Sequence, residues 1–325
     1  MYNILNSKIK KTNLIYRSKI IFKIRKFFNE IDILEVDTPL LSRHTVTDCY
    51  IKCFKTSYYD IKTNNNINLW LTSSPEYHMK RLLSLKIGSI FQICHSFRNE
   101  AYSSCHNPEF TMLELYMVKY NMFELMKFID VFFQNILNFQ KSDMISYRKI
   151  FIKFLKIDPL TSNKDDLVNK IIFLNHYNLI KNNNLLNKKD LLEILFMIGI
   201  EKKLGKKRPI FIYHFPADQA LLSSLNKYDK RTSNRFEIFF KGIELANGFQ
   251  ELTDRKEQEQ RFKNENILRN KMGLKKIKLD KFFLDALSKG IPECSGVSVG
   301  IDRIIMLKLK SSNIFDILPF SIHNC

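Results

Sequence analysis

Glycine is scarce in this sequence, with nine glycines among 325 residues, well below the usual share of about 7%. The chain has no G-x-G-x-x-G segment, which excludes the common dinucleotide-binding fingerprint. GIEKKLGKK at 199–207 is not a P-loop, because five residues separate its glycines and Lys207 stands where Ser or Thr is required. Six of the nine glycines nonetheless fall between positions 242 and 300, which indicates backbone that bends or lies against a ligand.

Membrane and secretory signals are also lacking. No apolar run approaches the roughly 18 residues that a membrane span needs, and no apolar segment follows Lys8, Lys10 and Lys11 as it would in a signal peptide. The six cysteines form no C-x-x-C pair and no zinc spacing, which is typical of reduced thiols. We therefore expect a cytoplasmic protein without a membrane partner.

Negative charge is in deficit, and the formal net charge is +19. Such a surplus ordinarily points to nucleic acid. Here it is mostly lysine scattered along the chain, so tRNA is disfavoured as a partner, and a general positive field that steers an acidic protein stays open.

A period-2 pattern runs through HNPEFTMLELY at 106–116. It predicts a strand with Phe110, Glu114 and Tyr116 on one face. That face offers an aromatic plane for a base, and a carboxylate and a phenol for an amine. Phe110 and Tyr116 alone would also fit a core.

FRNE at 97–100 precedes this strand. If FRNE ends a strand, Arg98 and Glu100 project to one side, where the guanidinium can fork onto phosphate oxygens. A solvated surface ion pair is the alternative.

ELANGFQELTD at 244–254 carries Glu244, Asn247 and Glu251, and no positive charge occurs until Arg255. Magnesium binds through one or two carboxylates together with substrate phosphates, which makes Glu244 and Glu251 candidate ligands. Their separation of seven residues would place them on opposite strand faces, so we expect a bulge at Gly248 that re-aims Glu251. Taken alone, the segment also fits a polar edge strand that ends in a turn.

GVSVGIDR at 296–303 predicts a strand that runs into a helix. Arg303 would lie in the first turn, beside the helix N-terminus that favours phosphate.

Together these segments resemble the motifs of class II aminoacyl-tRNA synthetases of the lysine subgroup, as does the helix-strand-proline segment at 17–39. Members that charge tRNA carry an N-terminal anticodon-binding barrel, whereas here the core motifs begin almost at Met1. The sequence therefore resembles a barrel-less branch that attaches (R)-β-lysine to a lysine of elongation factor P, and the segments at 45–48, 68–83 and 211–222 match that branch especially well.

The resemblance implies an α+β fold, an antiparallel β-sheet flanked by helices. It further implies a single catalytic domain over 1–325 with a mainly helical segment at about 118–204, and a homodimer. It implies ATP and magnesium, with (R)-β-lysine or lysine as the small substrate and elongation factor P as the acceptor.

Site roles are carried over by the same resemblance. Arg98 and Arg303 would be catalytic, and Glu244 and Glu251 would bind the metal. The residues implied to bind ATP are Arg98, Asn99, Glu100, His106, Asn107, Phe110, Glu244, Leu245, Gly300 and Arg303. The residues implied to bind the amino acid are Ser74, Pro75, Glu76, Glu114, Tyr116, Asn247, Glu251 and Ser298. Phe110 and Arg303 would sandwich the adenine.

Two positions depart from the family's pattern. AYSSC at 101–105 offers no cation where the family has an arginine for the γ-phosphate, and His106 or a lysine from elsewhere is the available substitute. Ser298 stands where the tRNA-charging members have glycine and the barrel-less branch has alanine, so its side chain should narrow the pocket and favour a shifted amine.

Several helices and strands follow from periodicity. The residues with helical spacing in the first segment are Ile20, Ile24, Phe27, Phe28 and Ile31. EVDTPLL at 35–41 and the segment at 235–240 predict strands, and Ser162 with Asp165 predicts a capping box. The Asn-rich stretch at 181–189 predicts a turn between helices.

Two rivals stay open at this point. A free-standing synthetase core would charge RNA instead of protein, and the identity of the acceptor separates the two. A non-catalytic interaction protein is the third class, and it is disfavoured because Arg98, Glu244, Glu251 and Arg303 are all present.

Overall fold

The computed structural model describes residues 10–181 and 186–325. Its helices are α1 (Lys11–Asn29), α2 (Glu76–Leu83), α3 (Met122–Leu137), α4 (Tyr147–Leu155), α5 (Lys164–Phe173), α6 (Lys188–Gly199), α7 (Arg255–Lys271), α8 (Lys281–Lys289) and α9 (Ile301–Lys308). Its strands are β1 (Leu34–Glu35), β2 (Leu41–Ser42), β3 (Lys55–Asp60), β4 (Asn65–Leu71), β5 (Ile90–Phe97), β6 (Glu109–Val118), β7 (Asp143–Ser146), β8 (Ile210–Tyr213), β9 (Arg235–Phe240), β10 (Ile243–Gln250) and β11 (Cys294–Gly300). Most strand pairs are antiparallel, which confirms the predicted α+β class.

The chain divides into two compact units. The first comprises residues up to 119 with 253–293 and 298–325, and the second comprises 120–252 with 294–297. Within the described part of the chain, no helix is both long and apolar enough to cross a membrane.

In the first unit, β1, β5, β6 and the end of β11 lie side by side in that order, and β2, β4 and β3 form a separate small sheet. The β5–β6 hairpin is antiparallel from Ile90 opposite Tyr116 to Phe97 opposite Glu109. Helix α1 buries its apolar stripe, and the ring of Phe28 stacks 4.6 Å from that of Phe91. This confirms the helical spacing predicted for the segment.

The chain after α1 is less regular than predicted. Ile31 lies beyond the helix end and is 43% exposed, so its predicted place in the stripe is wrong. EVDTPLL forms no continuous strand, because only the two-residue strands β1 and β2 pair there. Pro39 has no N–H to donate and restricts the residue before it, which interrupts the ladder.

In the second unit, the start of β11 is followed by β10, β9, β8 and β7. The predicted strand at 235–240 is confirmed as β9. The predicted helical segment is confirmed as α3–α6, with the short strand β7 inside it. Helices α4, α5 and α6 share a core that contains Tyr147, Phe151, Leu167, Ile171, Leu191 and Leu195.

The predicted capping box is wrong by one residue. Asn163 caps α5 by accepting from the backbone N–H of Asp166 at 2.9 Å, and Asp166 accepts from Asn163 N at 3.0 Å. Ser162 instead donates to the carbonyl of Asp158 at 2.7 Å. Of the turn predicted at 181–189, residues 182–185 lie outside the described residues.

Candidate active site

A buried carboxylate lies on β6 in the first unit. Glu114 and Tyr116 are 2% and 1% exposed, and the Tyr116 hydroxyl donates to Glu114 Oε1 at 2.9 Å, which confirms that they share a face. Ser298 donates to Glu114 Oε2 at 2.6 Å, and Ser74 donates to the same oxygen at 3.3 Å. Three hydroxyl groups therefore hold this carboxylate in place.

A second carboxylate lies at the start of α2. Glu76 follows Pro75, and its backbone N–H donates to Ser74 Oγ at 3.1 Å. The ammonium of Lys80, one helical turn later, donates to Glu76 Oε1 at 2.7 Å. The side chain of Lys80 is only 1% exposed, against 16% for Glu76. Sequence reasoning missed Lys80, although an i,i+4 pair of opposite charge is a visible signal.

The two carboxylates influence each other. Burial, joined by the charge of Glu76, raises the pKa of Glu114 to about 7, although the hydrogen bonds from Ser298 and Tyr116 and the charge of Lys80 lower it. A nearby positive charge lowers the pKa of such a carboxyl and stabilises its ionised form, so a ligand that carries a cation restores its negative charge. The arrangement suits an ammonium group.

Arg98 lies directly after β5, which ends at Phe97. FRNE therefore does not continue the strand, and Asn99 and Glu100 follow as exposed residues. The Arg98 backbone N–H donates to Pro108 O at 2.9 Å, and its guanidinium lies 5.2 Å from the centroid of the Phe110 ring. Among the residues that the structure describes, buried Arg98 Nε has no hydrogen-bond partner. A buried N–H without a partner can donate a hydrogen bond to a bound anion.

Arg303 occupies the first turn of α9, directly after β11 and Gly300, which confirms the predicted strand-to-helix junction. Its Nη2 lies 2.7 Å from His106 Nε2, and its Nε donates to Cys105 O at 3.4 Å. Because a guanidinium can only donate, His106 Nε2 accepts and Nδ1 carries the proton toward Ser103 Oγ, 2.7 Å away.

Asn107, next to His106, is hydrogen-bonded to two backbone groups through its side chain. Asn107 donates to Glu109 O at 2.7 Å and accepts from Ile322 N at 3.2 Å. In this structure the cation over Phe110 is Arg98, and Arg303 lies against the His106 loop. The sandwich of adenine between Phe110 and Arg303 stays a prediction.

In the second unit, β10 carries Glu244 and Asn247. The β10–β9 register shifts by one residue between Glu244 and Ala246, so the bulge is at Leu245 and its predicted place at Gly248 is wrong. The extra residue restores the phase, because Asn247 pairs with Glu237 on the same side as Glu244. Leu245 itself is buried.

Gly248 serves a different purpose. A Cβ atom at this position would overlap the ring of Phe236 and lie 3.0 Å from Gly296 O. The glycine therefore permits a close approach between strands rather than a bulge.

Glu237 on β9 was missed by sequence reasoning. Its side chain is 12% exposed and forms an ion pair with Arg235, which also donates to Asn247 Oδ1 at 3.2 Å. The pKa of Glu237 is raised to about 7, chiefly by burial and also by the charge of Glu244, although Arg235 lowers it. The strand that carries Glu237 was visible in the sequence, but the register that places Glu237 opposite Asn247 depends on the bulge at Leu245.

Glu251 directly follows β10. It is 5% exposed, forms an isolated bridge with Ser223, and donates its backbone N–H to Cys294 O at 3.0 Å. The structure therefore places Glu237, Glu244 and Asn247 on one paired surface and Glu251 at its end.

The sequence is similar to known proteins over nearly its whole length. A family model described as tRNA synthetases class II (D, K and N) matches residues 2–324. A protein of Buchnera aphidicola subsp. Acyrthosiphon pisum (strain APS), named elongation factor P–(R)-β-lysine ligase, is 52% identical over 315 residues, which cover 96% of both chains. A protein of the same name from Buchnera aphidicola subsp. Schizaphis graminum (strain Sg) is 52% identical over 312 residues. Another from Salmonella typhi is 44% identical over 310 residues. Both matches cover 95% of this chain and 95% of the relative.

Proposed function

The chain belongs to the class II tRNA synthetase family (D, K and N), and from this premise we propose that it is an ATP-dependent ligase that activates (R)-β-lysine and transfers it to a lysine of elongation factor P. The names of its relatives support the acceptor and the amino acid. A core that charges tRNA is the alternative.

The buried Glu114 carboxylate carries the proposal. It lies among three hydroxyl donors, and burial together with the charge of Glu76 raises its pKa to about 7, so a ligand that brings a cation stabilises its ionised form. An amino acid with a second ammonium group supplies that cation, which makes a lysine-type substrate the best match. Ser298 fills space next to Glu114 and adds a hydrogen bond, and this supports an amine displaced from the α-position.

Activation proceeds by in-line attack of the amino-acid carboxylate on the α-phosphorus of ATP. A carboxylate–phosphorus bond forms, the bond to pyrophosphate breaks, and the aminoacyl-adenylate results. Arg98 binds the α-phosphate and stabilises the charge of the transition state, while Phe110 and Arg303 hold the adenine. No general base is needed, because the carboxylate is already ionised at neutral pH, and positioning with electrostatic stabilisation provides the rate.

Magnesium fits the carboxylates of the second unit. Glu244 raises the pKa of Glu237 across the paired strands, and such mutual repulsion is relieved by a divalent cation. Glu244 would hold the ion with Glu237 or Glu251. When bound, magnesium neutralises charge on the phosphates.

Transfer completes the reaction. The acceptor's ε-amino group, after losing its proton, attacks the carbonyl carbon of the adenylate, an amide forms and AMP leaves. The six free cysteines accord with a reducing compartment such as the cytoplasm. Exposed Leu14, Ile15 and Phe22 on α1 support a homodimer through this helix.

ATP–pyrophosphate exchange tests the activation step. We expect exchange with (R)-β-lysine to exceed exchange with α-lysine, and to fail in the Glu114→Gln variant at substrate concentrations that saturate the wild type. Equal exchange by wild type and variant would overturn the role of this pocket.

A further inference from the structure

The loop between β8 and β9 displays an aromatic side chain to solvent. Tyr228 is 86% exposed, and the ammonium of Lys227 lies 4.9 Å from the centroid of its ring. Tyrosine and arginine are the side chains over-represented at the centres of protein interfaces. Here they stand together at 227–231, a segment that we call the tyrosine loop.

The tyrosine loop is held in one conformation by hydrogen bonds at its neck. Asn226, only 7% exposed, accepts from Tyr228 N at 3.0 Å and donates from Nδ2 to Thr232 Oγ1 at 3.2 Å. Thr232 N and Oγ1 both donate to Asp229 O at 2.9 Å. A side chain displayed on a preorganised loop loses little conformational entropy when a partner binds.

The neck connects to the strand that carries the candidate carboxylates. Ser224 N donates to Gln250 O at 2.8 Å, and Gln250 N donates to Asn234 O at 2.9 Å. On the far side of Glu251, Leu252 N donates to Leu222 O at 3.0 Å. The chain on both sides of the tyrosine loop, at Ser224 and at Asn234, is thus hydrogen-bonded to the end of β10.

The tyrosine loop is positively charged. Arg231 forms hydrogen bonds of 2.8 and 2.9 Å with the carboxylate of Asp229. Within residues 10–181 and 186–325, no salt bridge engages Lys227 or Lys230. The ammonium of Lys227 over the exposed ring, with that of Lys230 in the same short segment, complements an acidic protein surface with an apolar spot.

We propose that the tyrosine loop is the docking contact for the acceptor protein, which it meets through acceptor carboxylates around a central Tyr228. This inference rests on the proposed function, since that reaction brings a protein lysine to the adenylate. A nucleic-acid strand could also stack on the ring and pair with the lysines, and the test below separates that case.

The second unit contains a matched control. Phe173 at the end of α5 is 75% exposed, and Lys170 lies 4.7 Å over its ring. Like Lys227 and Tyr228, this pair consists of an ammonium over an exposed aromatic ring. It lies on α5 and not in the tyrosine loop.

The experiment compares Tyr228→Ala and the double variant Lys227→Glu with Lys230→Glu against Phe173→Ala and Lys170→Glu. ATP–pyrophosphate exchange measures activation, the rate of transfer is measured over a range of elongation factor P concentrations, and binding of tRNA by the same variants is measured in parallel. We expect the loop variants to raise KM for elongation factor P by roughly tenfold with exchange unchanged. We expect the control variants to match wild type in both assays, and the charge effect to weaken as salt increases.

Three results would overturn the inference: an unchanged KM for elongation factor P in the loop variants, an equal loss in the control variants, or a loss confined to binding of tRNA. If wild type exchanges pyrophosphate but labels no elongation factor P, the proposed function falls together with the inference. If wild type labels the protein and the loop variants do so equally well, only the inference falls.

Discussion

Replacing Glu114 with glutamine should stabilise the free protein while weakening its function. The pKa of Glu114 is raised from 4.5 to about 7, chiefly by burial. The folded protein therefore holds this proton more tightly than the unfolded chain does. The resulting stability is fully present below pH 4.5 and is lost as pH rises through about 7, which amounts to about 3 kcal/mol at 1.36 kcal/mol per pH unit.

The Glu114→Gln variant does not titrate at this position. We expect its free energy of unfolding to exceed that of wild type at pH 8 by up to about 3 kcal/mol, and the difference to shrink toward zero near pH 5. Urea unfolding at the two pH values measures this. Glu109→Gln is the matched control on the same strand, because the side chain of Glu109 is 52% exposed and its replacement should change little.

The same substitution removes the carboxylate that we propose as the charge partner of the substrate ammonium. Loss of one member of a buried, hydrogen-bonded charge pair costs about 2 to 5 kcal/mol, so KM for the amino acid should rise by about 30-fold or more. In wild type, kcat/KM for the amino acid should fall as pH drops below about 7, because Glu114 must then lose a proton to bind the cation. A variant that is less stable than wild type at pH 8 and binds the amino acid equally well would refute this reasoning.

Three further substitutions probe the remaining contacts. Lys80→Met removes a cation that lowers the pKa of Glu114, so the acid limb of the pH profile of kcat/KM should move to higher pH; a uniform loss at every pH would indicate a structural role only. Arg98→Ala should reduce ATP–pyrophosphate exchange by about 100-fold or more with an unchanged melting temperature, and near-normal exchange would contradict the assigned role. Gly248→Ala should lower the free energy of unfolding by about 1 to 3 kcal/mol in urea titrations, because its Cβ meets the Phe236 ring; unchanged stability would mean that the strands adjust.

Local patterns predicted the elements that local sequence determines. The strand at Arg235–Phe240 and the junction from β11 to α9 follow from apolar alternation and from the glycines around the turn, and the structure has both. The predicted position of the bulge is wrong, because glycine at position 248 suggested a flexible point there. The actual irregularity falls at Leu245, where strand pairing rather than residue type decides the position.

The burial of Lys80 and of Glu237 could not be recognised from sequence pattern alone. Both are charged residues within regular elements, where a solvated position is the usual expectation. Their burial depends on packing between elements. Glu237 lies opposite Asn247 on the next strand, and Lys80, only 1% exposed on its amphipathic helix, lies 5.9 Å from the centroid of the Phe283 ring. Tertiary packing, which no single segment encodes, gives each its electrostatic importance.

Following the labelled amino acid to its acceptor separates ligation to protein from charging of tRNA. Wild-type protein, ATP and labelled (R)-β-lysine are incubated with elongation factor P and with tRNA in competition, and the parallel reaction contains α-lysine. We expect label on a lysine of elongation factor P, faster with (R)-β-lysine, and none on tRNA. Label on tRNA, or exchange without transfer to the protein, would contradict the proposed function.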